Sequence, residues 1–308
     1  MGHSAIEQIK AWVRRYRSRR IALSRQHGKT GQYRLAYDPS LLPPLELMQQ
    51  EGIDVLEEWF RWGEEWSMLL RIYGRITRSS SVLEIGCGLG RIAFPLRYIL
   101  SRDGSYDGFD ICENKIRFLE RSFDDIYPNF RFTWANVCNT YYNPKGEVRA
   151  TDYRFPYRRT SFDIVYAASV FTHMLPEGVA HYFEESASVL KPGGRCVFSF
   201  FLLDNYRPGQ PRPLGFADPS FNFDHRYGDY CNDFATVVPE NLEQMTAYSL
   251  RLIEEFAARV GLELDPPLPG LWSGSAPTWV GAQDIVVLRK PVIPHSVAEP
   301  RTRPAARS

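Results

Sequence analysis

The 308 residues predict an α/β fold: a mostly parallel, doubly wound sheet covered by helices on both faces, preceded by a helical extension. Three observations carry this expectation. From Ser81 onward, short apolar runs alternate with amphipathic stretches; a glycine turn, Gly86-Cys87-Gly88-Leu89-Gly90, follows the first run; and Lys191-Pro192-Gly193-Gly194 breaks the chain ahead of a later one. Uninterrupted apolar runs suit strands buried on both faces, and strand, helix, strand repeats imply parallel pairing. Right-handed crossovers then direct ligands to the carboxyl ends of the strands.

Residues 1–40 hold nine Lys and Arg against two acids. Ile6, Ile9, Val13 and Tyr16 fall on one face of a helix whose other faces carry Arg14, Arg15, Arg17, Arg19 and Arg20, so a basic amphipathic helix is expected. It can pack on the domain, pair with a second copy in a homodimer, or make a weak contact with an anionic surface. Residues 51–77 show a helical pattern, Ile53, Leu56, Trp59, Phe60, Trp66, Leu69, Leu70, Ile72 and Tyr73, interrupted at Gly63. Residues 1–80 therefore read as a helical N-terminal extension and 81–290 as the main domain. Strands are expected at 81–86, 106–111, 130–136, 162–168, 195–203 and 283–289, and helices near 90–101, 113–126, 177–190 and 241–260. Residues 204–240, rich in Pro, Asn, Asp and aromatics, read as an irregular insertion, and the Pro- and Arg-rich residues 291–308 as a disordered tail.

A formal charge of +1, with 24% charged and 44% hydrophobic residues, gives no global pull toward nucleic acid or membrane. Cys87, Cys112, Cys138, Cys196 and Cys231 form no C-x-x-C pair and no Cys/His cluster, so free thiols and no metal site are expected. With no apolar run of membrane-spanning length and no secretion signal, the expected location is the cytoplasm.

Chemistry concentrates at four places. In Ser81-Val82-Leu83-Glu84-Ile85-Gly86-Cys87-Gly88-Leu89-Gly90 a buried strand enters a glycine loop, with a helix expected to begin near Arg91. The loop lets backbone approach a ligand closely, and the acid Glu84 suits a cationic ligand where a pyrophosphate would be repelled. Asp110 ends the strand Tyr106–Ile111; its carboxylate can accept both hydroxyls of a ribose, or it can cap the helix from Glu113. The strand from Phe130 ends at Asn136 and Val137, whose side chain or backbone can meet an adenine edge, although Asn there is also a common turn residue. The fourth place is Ser161-Phe162-Asp163-Ile164-Val165-Tyr166-Ala167-Ala168-Ser169-Val170-Phe171-Thr172-His173.

Taken together, the glycine loop, Asp110, the Phe162–Val165 strand with Val170-Phe171-Thr172-His173, and Leu190-Lys191-Pro192-Gly193-Gly194 resemble the class I S-adenosylmethionine-dependent methyltransferases over about Ser81 to Lys290. The resemblance implies a seven-stranded sheet and S-adenosyl-L-methionine as cofactor. It implies cofactor contacts at Glu84, Gly86, Cys87, Gly88, Gly90 and Arg91 around the methionine end, at Asp110 and Ile111 around the ribose, and at Asn136 and Val137 around the adenine. Ser169 is expected to join them after the fourth strand. Asn136 stands where the family commonly has Asp, keeping an acceptor without its charge. His173 reads as a wall of the cofactor site, as a helix-start residue bonded to backbone, or as the general base for a hydroxyl acceptor; as a base it would place an acidic limb near an ordinary histidine pKa. The insertion offers Asp204, Asp224 and His225 as other bases. O-methylation of a small-molecule or sugar-like biosynthetic intermediate is the favoured function. A macromolecular or membrane-associated acceptor, or cofactor binding without catalysis, are the alternatives.

Overall fold

The computed structural model describes residues 41–123, 126–207 and 222–292; the basic helix expected within 1–40 and nearly all of the expected tail lie outside them. The chain divides into two compact units, one running to Arg149 and one from Ala150.

In the first unit, α1 (Leu45–Gln49) and α2 (Leu56–Ile72) precede β1 (Ser81–Ile85), α3 (Ala93–Ile99), β2 (Ser105–Asp110), α4 (Glu113–Phe123) and β3 (Phe130–Trp134). The strands lie in the order β3-β2-β1, all parallel, with Ser81 opposite Ser105 and Tyr106 opposite Phe130. After its first residue every position of β1 and of β2 is buried, as the unalternating apolar runs require. On α4 the buried stripe Lys115, Ile116, Leu119 and Phe123 follows helical spacing, and the Phe123 ring packs near Phe130 and edge-on to Phe132.

The interruption expected at Gly63 does not occur: α2 runs through it without a break. Gly63 serves close packing instead. A Cβ there would stand 2.1 Å from the carbonyl oxygen of Arg91.

The second unit holds β4 (Phe162–Ala167), a 3₁₀ turn at Phe171–His173, α5 (Pro176–Val189), β5 (Leu190–Phe200), a second 3₁₀ turn at Leu203–Asn205, β6 (His225–Arg226), β7 (Phe234–Thr236), β8 (Thr246–Tyr248), α6 (Leu250–Arg259), β9 (Glu263–Leu264) and β10 (Asp284–Arg289). β4 and β5 are parallel, while β10 runs antiparallel to both β5 and β9, giving the order β4-β5-β10-β9. Counting both units, seven strands, most of them parallel to a neighbour, give the α/β class expected. The Lys191–Gly194 break is absorbed as a shift of register, Phe162 opposing Leu190 and Ile164 opposing Arg195. Pro176 opens α5 at its first turn, where a missing N–H costs nothing. The Lys290 ammonium serves the other end of α5, donating to the carbonyls of Ala187 and Leu190 at 2.6 and 2.8 Å.

The helix expected over 241–260 starts only at Leu250, with Ser249 as its N-cap accepting from the Leu252 N–H at 3.1 Å. Ahead of it Thr246-Ala247-Tyr248 is wholly buried as β8, the Thr246 hydroxyl donating to Phe171 O at 3.0 Å and the Tyr248 phenol to Met174 O at 2.5 Å. A β-branched and an aromatic residue flanking Ala favour a strand wherever the sheet has a partner to offer, and β7 is that partner. The insertion thus supplies β6 and β7 of a three-stranded sheet, β6-β7-β8, and a core beside it joins Phe201, Tyr206, Phe223, Ala235, Ala247 and Trp272. Asp284 anchors this region, accepting from Leu202 N (2.9 Å), Asn205 Nδ2 (2.9 Å), Gly270 N (2.7 Å) and Trp272 Nε1 (2.6 Å). Burial pushes its carboxyl up, against the four donors, which favour the charged form.

Candidate cofactor site

β1 runs directly into the glycine loop, where Gly86, Gly88 and Gly90 take φ of +70°, +51° and +74°. Side chains with a Cβ rarely adopt that region, so three non-adjacent glycines let the loop coil tightly. The Gly86 and Cys87 N–H groups both donate to Phe109 O, at 2.8 and 3.0 Å, fastening the loop to the end of β2. The chain then passes Arg91 and enters α3 two residues later than the sequence suggests.

Asp110, the last residue of β2, is buried and doubly engaged: Oδ2 accepts the Gly88 N–H at 2.7 Å and Oδ1 the Cys112 N–H at 2.8 Å. One carboxylate therefore both holds the glycine loop and turns the chain into α4. Each oxygen keeps a further lone pair for a ligand hydroxyl. Glu84 is 1% exposed within β1 and accepts the Tyr106 phenol. Burial first, then the charges of Asp110, Glu84 and Glu51, push the Cys87 thiol up, so it stays protonated and is no nucleophile. Burial and Asp110 likewise push Cys112 up to about 12, with Lys115 opposing.

Ile111 lends its carbonyl to the Trp134 indole N–H at 3.1 Å. Asn136 and Val137 lie just past β3, Val137 buried. Their carbonyls are committed to the following loop: Asn136 O accepts from Glu147 N and Val148 N, both at 3.1 Å, and Val137 O from Asn143 Nδ2 at 3.0 Å. Asn136 keeps its side-chain amide to offer a ligand.

In the second unit Ser169, two residues beyond β4, has a left-handed φ of +59°. For a residue with a Cβ this costs about 1–3 kcal/mol and persists only where neighbours fix it. They do: Ser169 N donates to Ser199 Oγ at 2.8 Å, and the Ser169 and Ser199 hydroxyls both donate to Gln283 Oε1, at 3.0 and 2.6 Å. His173 closes the 3₁₀ turn with its N–H on Val170 O at 2.9 Å. Burial pulls its imidazole down to about 4, against ring hydrogen bonds to the backbone of Gln244 and Glu243. It is thus neutral at physiological pH and bonded to backbone, with any acidic limb moved far below the ordinary histidine range. Asp204 accepts the Leu250 N–H at 2.7 Å, and Asp224 the Tyr206 phenol at 3.1 Å, so both carboxylates expected as alternative bases carry structural duties. His225 is exposed on β6.

Residues 83–198 match the family model described as a methyltransferase domain. Residues 83–198 thus carry a methyltransferase domain. A stretch of 124 residues is 30% identical to 27-O-demethylrifamycin SV methyltransferase of Amycolatopsis mediterranei, covering 40% of this chain and 39% of that protein. The chain thus aligns with about two fifths of the length of that relative. Among solved structures it is similar to a Haloferax volcanii protein in complex with a methyltransferase activator, with a TM-score of 0.51, 16% identity and coverage of 82% of this chain and 96% of that one. A protein from Pyrococcus horikoshii gives a TM-score of 0.51 at 16% identity, over 78% and 93% of the two chains.

Within this methyltransferase domain the glycine loop, Asp110, Ile111, Asn136 and Val137 all come from the first unit, while Ser169 and His173 belong to the second. The sequence reading missed Gln283, which organises Ser169 from a position ahead of β10, and the pair Glu51 and Lys115 beside Gly88. Lys115 left a signal: it occupies a position on the apolar stripe of α4, four residues from Leu119 and eight from Phe123. Among the described residues no group of His, Cys, Asp and Glu is placed to hold a metal ion, and no helix is long and apolar enough to cross a membrane.

Proposed function

We propose that the chain transfers a methyl group from S-adenosylmethionine to a hydroxyl of a small-molecule or sugar-like biosynthetic intermediate. The observation carrying this reading is the Gly88 to Asp110 hydrogen bond, which joins the glycine loop to a buried acid whose two oxygens each keep an open lone pair. That pair of acceptor oxygens fits a nucleoside diol, and the carboxylates of Asp110 and Glu84 beside Cys87 fit a cofactor bearing positive charge. When bound, the cofactor supplies a methyl group already activated by its sulfonium. What remains for the protein is to bind, align and exclude water.

Glu84, Gly86, Cys87, Gly88, Gly90 and Arg91 would line the methionine side, Asp110 and Ile111 the ribose side, Asn136 and Val137 the adenine side, and Ser169 the end of β4. A conjugate acid near 4 makes His173 a poor base for ionising a hydroxyl. Its reading as a catalytic residue is therefore as a neutral hydrogen-bond acceptor that orients the acceptor hydroxyl. The hydroxyl specificity is supported by the O-methyl chemistry in the name of the Amycolatopsis relative.

The test is transfer of tritium from labelled cofactor to panels of hydroxylated and of aminated small molecules. Label recovered as a methyl ether supports the reading, and Gly88→Val should abolish it. Label found only on nitrogen or carbon, or only on macromolecular acceptors, would overturn it.

A further inference from the structure

The turn after α1 brings Glu51 onto the glycine loop. A Cβ added at Gly88 would stand 2.5 Å from Glu51 Oε1 and 3.6 Å from Oε2, so this carboxylate covers the open face of Gly88. Glu51 Oε1 is 2.9 Å from Lys115 Nζ, and both side chains are largely buried, at 12% and 7% exposure. The same turn is fastened to the start of α4 a second time, Gln50 Oε1 accepting from Asn114 Nδ2 at 3.1 Å.

A buried pair of this kind is a weak source of stability, because removing two charges from water offsets most of their attraction, and an apolar pair would suit the stripe of α4 as well. Its atoms are also under-used. Among the described residues the Lys115 ammonium, with three donors, has one carboxylate oxygen as hydrogen-bond partner and the face of Tyr142 at 5.9 Å. Glu51 Oε2 has no polar partner among them. Burial lowers the affinity of Lys115 for its proton, but Glu51 and Asp110 outweigh it and hold the lysine above its ordinary range. The ammonium is therefore permanently charged and answers both carboxylates. Because Lys115 already neutralises Glu51, the unused oxygen suits a neutral donor such as a hydroxyl better than a second cation.

We propose that Glu51 is a second acceptor for the ribose hydroxyls of the cofactor, working beside Asp110, and that Lys115 is the positioning residue that holds it over Gly88. This rests on the reading of the glycine loop and Asp110 as the cofactor site. It extends that site to the segment before residue 83, where the family match begins.

Calorimetry with S-adenosylhomocysteine and its 2′-deoxy and 3′-deoxy analogues tests it on the full chain, with far-UV circular dichroism as the check on folding. Glu51→Ala should weaken S-adenosylhomocysteine about tenfold, while binding at least one deoxy analogue as the unaltered protein does. Lys115→Met should also weaken S-adenosylhomocysteine, and Glu51→Ala/Lys115→Met should bind no worse than Glu51→Ala alone, because Lys115 acts through Glu51. Unchanged or tighter binding by Glu51→Ala would overturn the proposal, since Glu51 would then merely cover the glycine. Equal weakening for all three ligands would overturn the ribose assignment. Asp110→Ala separates the two levels: if it too leaves S-adenosylhomocysteine affinity intact, the cofactor-site reading itself has failed, whereas a loss there with none at Glu51 confines the failure to Glu51.

Discussion

Gly63, in the middle of α2, faces the carbonyl oxygen of Arg91 so closely that a methyl group would come within 2.1 Å of it. Glycine in a helix interior ordinarily costs about 1 kcal/mol relative to alanine, so the replacement would stabilise an isolated helix. Here the backbone contact decides the sign. Gly63→Ala should lower stability by about 2 kcal/mol or more, read as a lower urea midpoint with unchanged slope. A rise in the midpoint would mean that α2 can slide away from Arg91 at little cost.

Asp110 joins the glycine loop to the start of α4, so its removal should appear in two measurements at once. Asp110→Ala should weaken S-adenosylhomocysteine by about 2 kcal/mol, roughly thirtyfold, in calorimetry. The same variant should melt earlier, because the part-buried Gly88 and Cys112 N–H groups lose their acceptor. Earlier melting with intact affinity would leave Asp110 as a purely structural capping residue.

His173 gives a pH test with a definite sign. Its imidazole titrates near 4 when folded, against an ordinary value of 6.5, so the unfolded chain takes up the proton first. The stability it contributes is fully present above 6.5 and is lost as pH falls toward 4, a change of about 3 kcal/mol between pH 7 and pH 4. In His173→Gln the stability curve should flatten over that window. In turnover the unaltered protein should have no acidic limb from His173 near 6.5, and the variant should lower kcat while leaving cofactor affinity nearly intact if the ring orients the acceptor. A limb near 6.5 that vanishes in His173→Gln would restore the general-base role.

Asp284 receives four donors in a buried setting. Asp284→Ala should cost about 3 kcal/mol or more, measured by thermal or urea unfolding, because two backbone N–H groups and an indole N–H are left without an acceptor. Asp284→Asn should recover only part of the loss, since its NH₂ faces donors.

β1, β4 and β10 were legible as short, mostly apolar runs and β3 by its alternation, and the glycine loop and Asp110 because their chemistry is local in sequence. β9 is two residues long, and the pattern alone could not distinguish Glu263–Leu264 from loop. Thr246–Tyr248 was absorbed into the following helix because three residues carry no periodicity of their own, and only the contact with β7 decides them. Gly63 read as a break because sequence reports propensity and not what lies opposite. Glu51 was invisible for the related reason that its place over Gly88 depends on a turn 37 residues away meeting α4, which no local spacing encodes. The fall of the His173 pKa likewise comes from burial, a property of the assembled unit.

Lys290 sets a limit on how this chain can be shortened. Its backbone N–H donates to Gly194 O at 3.0 Å, and its ammonium reaches the last carbonyls of α5, so one residue fastens the register shift and the helix end together. A trimmed version for crystallisation or display that stops before Lys290 would keep the whole of β10 yet release the turn that sets the register of β5 against β4. The useful cut lies beyond it, and a fusion partner attached there needs a spacer long enough to leave the lysine seated.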